Sequence, residues 1–240
     1  MKPEQAAPKK PNIEEALALL KEGNSRFVEG KASHPNTDLF RLALAGRENQ
    51  GNHAFATILS CSDSRVPVEY IFDRGVMDIF VVRVAGNVAN GDEIGSIEYG
   101  LCHVHTPVLV LLGHTQCGAV TAVTQALAGP HAHPLERNIP QLIASIKPAV
   151  EKARADHPDA NTEVLIELAI EQNVWQAAEN LFMASPAVRE LVAKKQAKAV
   201  GAIYAVDSGK VTWLPDARME EVLKKVEACP GKATEPMAAK

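Results

Sequence analysis

The sequence predicts an α/β fold: an α/β/α sandwich around a mostly parallel sheet of about five strands. Three observations carry this. Apolar segments of strand length at 54–60, 78–84, 108–113 and 200–206 are nearly continuous rather than alternating, as in strands buried on both faces. Segments with helical periodicity separate them. A short last run, 210–214, follows the tight-turn sequence Asp207-Ser208-Gly209-Lys210, which makes the final strand antiparallel to its predecessor.

The elements follow in order. Asn12 suits a helix N-cap, with Glu14 and Glu15 in the first turn. Ile13, Ala16, Leu17, Leu20 and Phe27 then space an amphipathic helix to about Val28. A polar stretch, 30–38, leads to a shorter helical piece at 39–46. Further helical signals lie at 93–103, at 117–128, in a long pair near 139–155 and 162–184, and at 186–196. Thr162 is a plausible cap, and Ser185-Pro186 reads as cap plus first-turn proline. The loop 129–134 and the tails 1–11 and 229–240 read as irregular. No repeat emerges, and 240 residues suit one domain, 1–240, with one good-sized core.

Composition excludes more than it assigns. A hydrophobic fraction of 46% and a charged fraction of 22% are ordinary for a globular protein. A net charge of -4 gives no support for nucleic acid or an anionic membrane as partner. No run approaches the ~20 apolar residues that cross a bilayer. Residues 1–11 contain no apolar signal core, so a cytoplasmic location is expected; a periplasmic one is the alternative if a signal peptide has been removed. Four cysteines are too few for a disulfide framework in a chain this long. Cys102 reads as a small buried side chain and Cys229 as incidental.

Cys61 and Cys117 have another use. Cys61-Ser62-Asp63-Ser64-Arg65 and His114-Thr115-Gln116-Cys117 each follow a strand-like run and precede a helix-like one. Ligands in open α/β sheets bind at such strand ends. Two thiolates and an imidazole are ligands that zinc prefers, and three protein ligands leave a fourth position for chemistry. Arg65 can hold the Asp63 carboxylate by a two-pronged hydrogen bond that lysine could not supply. That carboxylate can then orient a zinc-bound hydroxide. The remaining histidines carry less weight: His131 and His133 read as solvated, His103 and His105 as structural or surface. Val174 and Trp175 read as packing.

With Arg83-Val84-Ala85-Gly86-Asn87-Val88-Ala89-Asn90 between them, these motifs resemble the β class of carbonic anhydrases, over about residues 13–214. The resemblance implies one zinc per chain on Cys61, His114 and Cys117, with Asp63 and Arg65 as a catalytic dyad. It implies reversible hydration of carbon dioxide to bicarbonate and a proton, with backbone N–H groups near Gly118 meeting the product oxyanion. It also implies a homodimer or homotetramer in which the N-terminal helix embraces a neighbour. Some members of that class carry a tryptophan three residues before the first ligand cysteine, part of a non-catalytic bicarbonate site. Ile58 stands there, although Arg83 and Tyr204 resemble its other parts, so this site is expected to be absent or weak. A glutamine nine residues before that cysteine often contacts substrate across the dimer interface; here the position holds Asn52, with Gln50 two earlier. The alternatives are a carbonyl sulfide or carbon disulfide hydrolase on the same fold, and a non-catalytic zinc-stabilised binding protein. Cysteine redox chemistry is disfavoured by the absence of Cys-x-x-Cys.

Overall fold

The apolar runs become the sheet. In the computed structural model, which describes residues 10–128 and 136–235, the strands are β1 (Ala56–Ser60), β2 (Ile79–Arg83), β3 (Val108–His114), β4 (Lys198–Tyr204) and β5 (Val211–Trp213). Their order is β2-β1-β3-β4-β5, with β1 to β4 parallel and β5 antiparallel to β4. Gly209 closes the last turn at φ +75°, a conformation that suits glycine. Every residue of β1 and β3 is buried, as unbroken hydrophobicity requires. β2 departs from the expectation. Its sequence is as apolar as the others, yet it forms an edge and leaves Ile79, Phe80 and Val81 half-buried.

The helices are α1 (Ile13–Val28), α2 (Leu39–Ala45), α3 (Val68–Ile71), α4 (Gly91–Glu98), α5 (Gly118–Ala128), α6 (Ile139–Ile143), α7 (Lys147–Asp156), α8 (Thr162–Ala184), α9 (Pro186–Ala193) and α10 (Asp216–Glu227). On one face α1 and α3 pack against Ile58, Val110 and Leu112. On the other, α4, α8, α9 and α10 cover Leu59, Leu109 and Leu111. Burying each such side chain stabilises the fold by roughly 1.5–3 kcal/mol. The first helix opens on a capping box in which Asn12 and Glu15 satisfy each other's backbone N–H. Its buried Asn24 donates to Ile71 O and Gly209 O and accepts from Val211 N–H, tying α1 to the final hairpin.

Several boundaries differ from expectation for local reasons. The 139–155 segment is α6, a tight turn at Ala144–Ile146, and α7. Pro148 has no N–H, and in a continuous helix its ring would clash with the carbonyl of residue 144, so the helix restarts there. α8 is capped by Asn161, whose side chain accepts from Val164 N–H, rather than by Thr162. The helix expected at 93–103 starts at Gly91 and widens into a π-turn at Tyr99–His103. α10 is missing from the sequence reading because its apolar face, Met219, Val222 and Val226, is diluted by charge. His103 and His105 are exposed as expected; His131 and His133 lie outside the described residues.

The two ends of the sheet are built differently. Toward the C-terminal ends of the strands, a Cβ on Gly113 would lie 2.9 Å from a Val174 methyl, and one on Gly201 would lie 3.1 Å from the other, so α8 sits close on β3 and β4. At the N-terminal edge of the sheet, the segment between α1 and α2 is held by two buried carboxylates. Asp73 accepts from Arg26 Nε–H, from the Ser33 and His34 N–H groups and from the Ser33 hydroxyl. Asp78 accepts from Asn36 Nδ2–H, Arg41 Nη2–H and Gly75 N–H.

Candidate metal centre

The C-terminal ends of β1 and β3 bring the two sequence motifs together. Cys61 directly follows β1, His114 is the last residue of β3, and Cys117 immediately precedes α5. Their ligand atoms lie within 4.8 Å of one another, and all three residues are buried. The His114 ring is oriented from its far side. Its Nδ1 lies 2.9 Å from the Thr115 carbonyl, which can only accept, so Nδ1 carries the proton. Nε2 is therefore a lone-pair acceptor, buried and without a hydrogen-bond partner.

An orphaned imidazole nitrogen beside two sulfurs is a costly arrangement unless something binds there. Two sulfurs and one nitrogen in a single cluster are also the donor set of a three-ligand zinc site. The residues fit that metal. The Cys61 thiol is held below its usual value, chiefly because the Cys117 thiol donates to it, with the Gly86 and Asp63 N–H groups adding to this and burial opposing it. Cys117 is pushed up for the converse reason, facing the Cys61 sulfur in a buried place.

Asp63 and Arg65 stand at the mouth of this cluster. Arg65 Nε–H donates to Asp63 Oδ1 at 3.0 Å and Nη2–H to Oδ2 at 2.8 Å, the two-pronged geometry expected of arginine. The Arg65 backbone N–H also reaches Oδ1. These bonds hold the Asp63 carboxyl well below the usual carboxylate range, against a smaller effect of burial. Arg65 further donates to the side-chain and main-chain oxygens of Gln116 on the other loop.

This arrangement can be set beside known proteins. The protein-family model described as carbonic anhydrase matches residues 56–211. "Carbonic anhydrase 2" of Mycobacterium tuberculosis is 36% identical over 197 residues, 81% of this chain and 89% of that one. The chain belongs to the β-carbonic anhydrase family. A carbonic anhydrase of Mycolicibacterium smegmatis is 34% identical over 202 residues, covering 82% of this chain and 90% of that one. Among solved structures, the β-carbonic anhydrase CafA of Aspergillus fumigatus aligns with a TM-score of 0.66 at 27% identity, covering 88% of this chain and 94% of that one. The β-carbonic anhydrase CcaA aligns at 0.63 with 28% identity, over 84% and 96%.

The resemblance to β-carbonic anhydrases raised further residues, and they divide. Ile58 is fully buried in the core, and the Arg83 guanidinium is spent on the Cys61 and Asp63 carbonyls. Asn52 lies before β1, at the end of that strand opposite to Cys61, and is exposed. Within one chain it is not brought to the cluster. Gly118 opens α5, and a Cβ there would meet nothing within 4 Å.

The roles of two residues, one of them inside the 83–90 motif, were missed in sequence. Asn173, on α8, donates from Nδ2 to Gly86 O at 2.8 Å and so fixes the turn whose N–H reaches the Cys61 sulfur. Gly86 needs φ +77°, and a Cβ on it would lie 2.7 Å from Ile146, so glycine is required. Nothing in a helical asparagine followed by an apolar pair signals this. Val174 and Trp175 beside it are core packing, as read.

Proposed function

We propose that this chain catalyses the reversible hydration of carbon dioxide, with one zinc ion per chain held by Cys61, His114 and Cys117. The observation that carries the reading is the unpartnered His114 Nε2 beside two sulfurs, next to a carboxylate locked by arginine. Zinc at this place acidifies water, so that a nucleophile is available near neutral pH.

The protein's own groups do the rest. Asp63 Oδ1 accepts from the Arg65 backbone and Nε–H, whereas Oδ2 accepts from Nη2–H alone. Oδ2 thus keeps lone-pair capacity for the attacking water. Held ionised, Asp63 accepts that hydrogen bond and aims the remaining lone pair at the substrate carbon. Arg65 stops the carboxylate from rotating away. Val88, Val120 and Ile146 pack around the two cysteines, an apolar bed that suits a small uncharged substrate. The Gly118 N–H, in the first turn of α5, is our assigned donor to the product oxyanion. Asn52 is assigned a substrate contact only across a subunit boundary.

We further infer that residues 1–240 act as one catalytic unit that assembles with copies of itself. Leu39, Phe40 and Leu42 on α2 are 83%, 76% and 51% exposed, and edge strand β2 is half-exposed nearby, where Arg41 bonds Val76 O and Asp78. Exposed apolar surface of this kind marks a contact site. A solved relative from Sordaria macrospora is described as a tetrameric β-carbonic anhydrase. Phe40→Ser should weaken self-association by light scattering. No helix among the described residues is long and apolar enough to cross a membrane. A cytoplasmic location suits two thiols that must stay reduced.

The deciding experiment is stopped-flow carbon dioxide hydration with metal analysis, on wild type and Asp63→Ala. Both should carry about one zinc per chain, and kcat should fall by about 10²–10³ in the variant. Full activity in Asp63→Ala would remove the dyad. Zinc-loaded wild type that does not hydrate carbon dioxide would overturn the function.

A further inference from the structure

Gln116 is an exposed residue held at φ +57°, a left-handed conformation unusual for a side chain of its type. A turn of this shape between two metal-ligand positions is better served by glycine or asparagine. What glutamine adds is its amide. Arg65 Nη1–H donates to Gln116 Oε1 at 3.1 Å, and Arg65 Nη2–H donates to the Gln116 carbonyl at 3.0 Å. The guanidinium is therefore held on one side by the Asp63 carboxylate and on the other by a loop 51 residues away. Asp63 and Arg65 sit on one short turn, whose main chain Arg83 holds at the Asp63 carbonyl, so the orientation of the guanidinium itself calls for a partner from elsewhere. The second loop supplies the external reference.

We propose that Gln116 is a positioning residue for the reaction. It anchors Arg65 from the His114–Cys117 loop, and through Arg65 it sets the direction in which Asp63 Oδ2 points. It is not among the three candidate ligand residues, and its left-handed backbone is tolerated for the sake of the side-chain contact. This rests on the functional reading above for its consequence in catalysis, but not for the contact itself.

Three variants separate the roles of turn and amide, each as the full-length, zinc-loaded protein. Gln116→Gly keeps the backbone shape and relieves its strain. Gln116→Leu keeps the bulk and removes the acceptor. Gln116→Glu keeps an acceptor for Arg65. Two readouts are needed: kcat and KM for carbon dioxide hydration, and solvent exchange of the Arg65 Nε–H resonance by nitrogen-15 NMR. Gly and Leu should each lower kcat about five- to tenfold with KM and zinc content unchanged, and should speed Nε–H exchange several-fold; Glu should restore slow exchange. A turn residue alone predicts the opposite for glycine: higher thermal stability, unchanged kcat and unchanged exchange. That result would overturn the proposal. If wild type does not hydrate carbon dioxide, the functional reading fails, and the exchange series still decides whether Gln116 holds Arg65.

Discussion

The two edges of the sheet make opposite use of buried polar groups. At the N-terminal edge, Asp73 and Asp78 are each met by three or more donors. At the C-terminal edge, His114 Nε2 has no partner and the two sulfurs receive only weak donors from the backbone and each other. Backbone strain does not tell the edges apart. His34, Asn36, Asp73 and Met77 have positive φ at the first, Asn87 and Gln116 at the second. What differs is the saturation of the acceptors: both carboxylates of the first edge are met, although Arg74 Nε beside them is not, whereas His114 Nε2 at the second is left bare. A network that closes on itself secures the fold, whereas one left open awaits a ligand.

Removing the ligand at the open edge should have the largest effect. His114→Ala should abolish zinc binding and reduce carbon dioxide hydration by at least about a thousandfold, as an enzyme that loses the source of its nucleophile must. Metal analysis beside the kinetic trace tests this. Retained zinc and activity would dissolve the distinction between the edges.

The closed edge should respond in stability and not in chemistry. Asp73→Asn leaves the Arg26 guanidinium and two backbone N–H groups short of a charge and should cost about 3 kcal/mol. Activity per folded molecule should not change. The pH dependence follows. Burial alone would raise the Asp73 carboxyl, but Arg26, the Ser33 and His34 N–H groups and the Ser33 hydroxyl outweigh it and hold it well below the usual range. A depressed carboxylate stabilises the fold fully above its unfolded pKa of about 3.9, and less as pH falls toward the lower folded value. The wild-type urea midpoint should therefore drop below about pH 4, and Asp73→Asn should flatten that slope.

Asn173→Leu tests where the edges meet the core. Losing the bond to Gly86 O should cost about 1–3 kcal/mol and weaken zinc affinity about 10–100-fold, as loss of groups that orient metal ligands does. A stability loss with unchanged zinc affinity would confine Asn173 to packing. Smallest of all, Lys152→Ala removes an exposed ion pair with Asp156 on α7 and should change stability by no more than about 0.5 kcal/mol.

How much of this was legible in sequence follows the same division. The five strands, their mostly parallel direction and the antiparallel end could be read because hydrophobic runs and turn residues are local signals, whereas their order could not. The three donors of the candidate centre were legible because each motif is contiguous and its chemistry is rare. The closed edge was invisible. Asp73 and Asp78 look like ordinary surface acids, and their partners lie 35 or more residues upstream for the side chains of Arg26, Asn36 and Arg41. β2 could not be told from a central strand, since apolar content does not say which side lacks a neighbour. Asn173 and Gln116 act through contacts 87 and 51 positions distant; Asn173 belongs to no motif, and Gln116 stands at a spacer position of its own.

The missing side chains at Gly113 and Gly201 act as a spacer. Two absent methyl groups set how deep α8 is seated, and that depth sets whether an amide one residue from Val174 can reach the turn at Gly86. Gly113→Ala, whose added methyl would face Val174 and Ile203, should lift the helix by a fraction of an ångström and slacken the grip on the Cys61 sulfur.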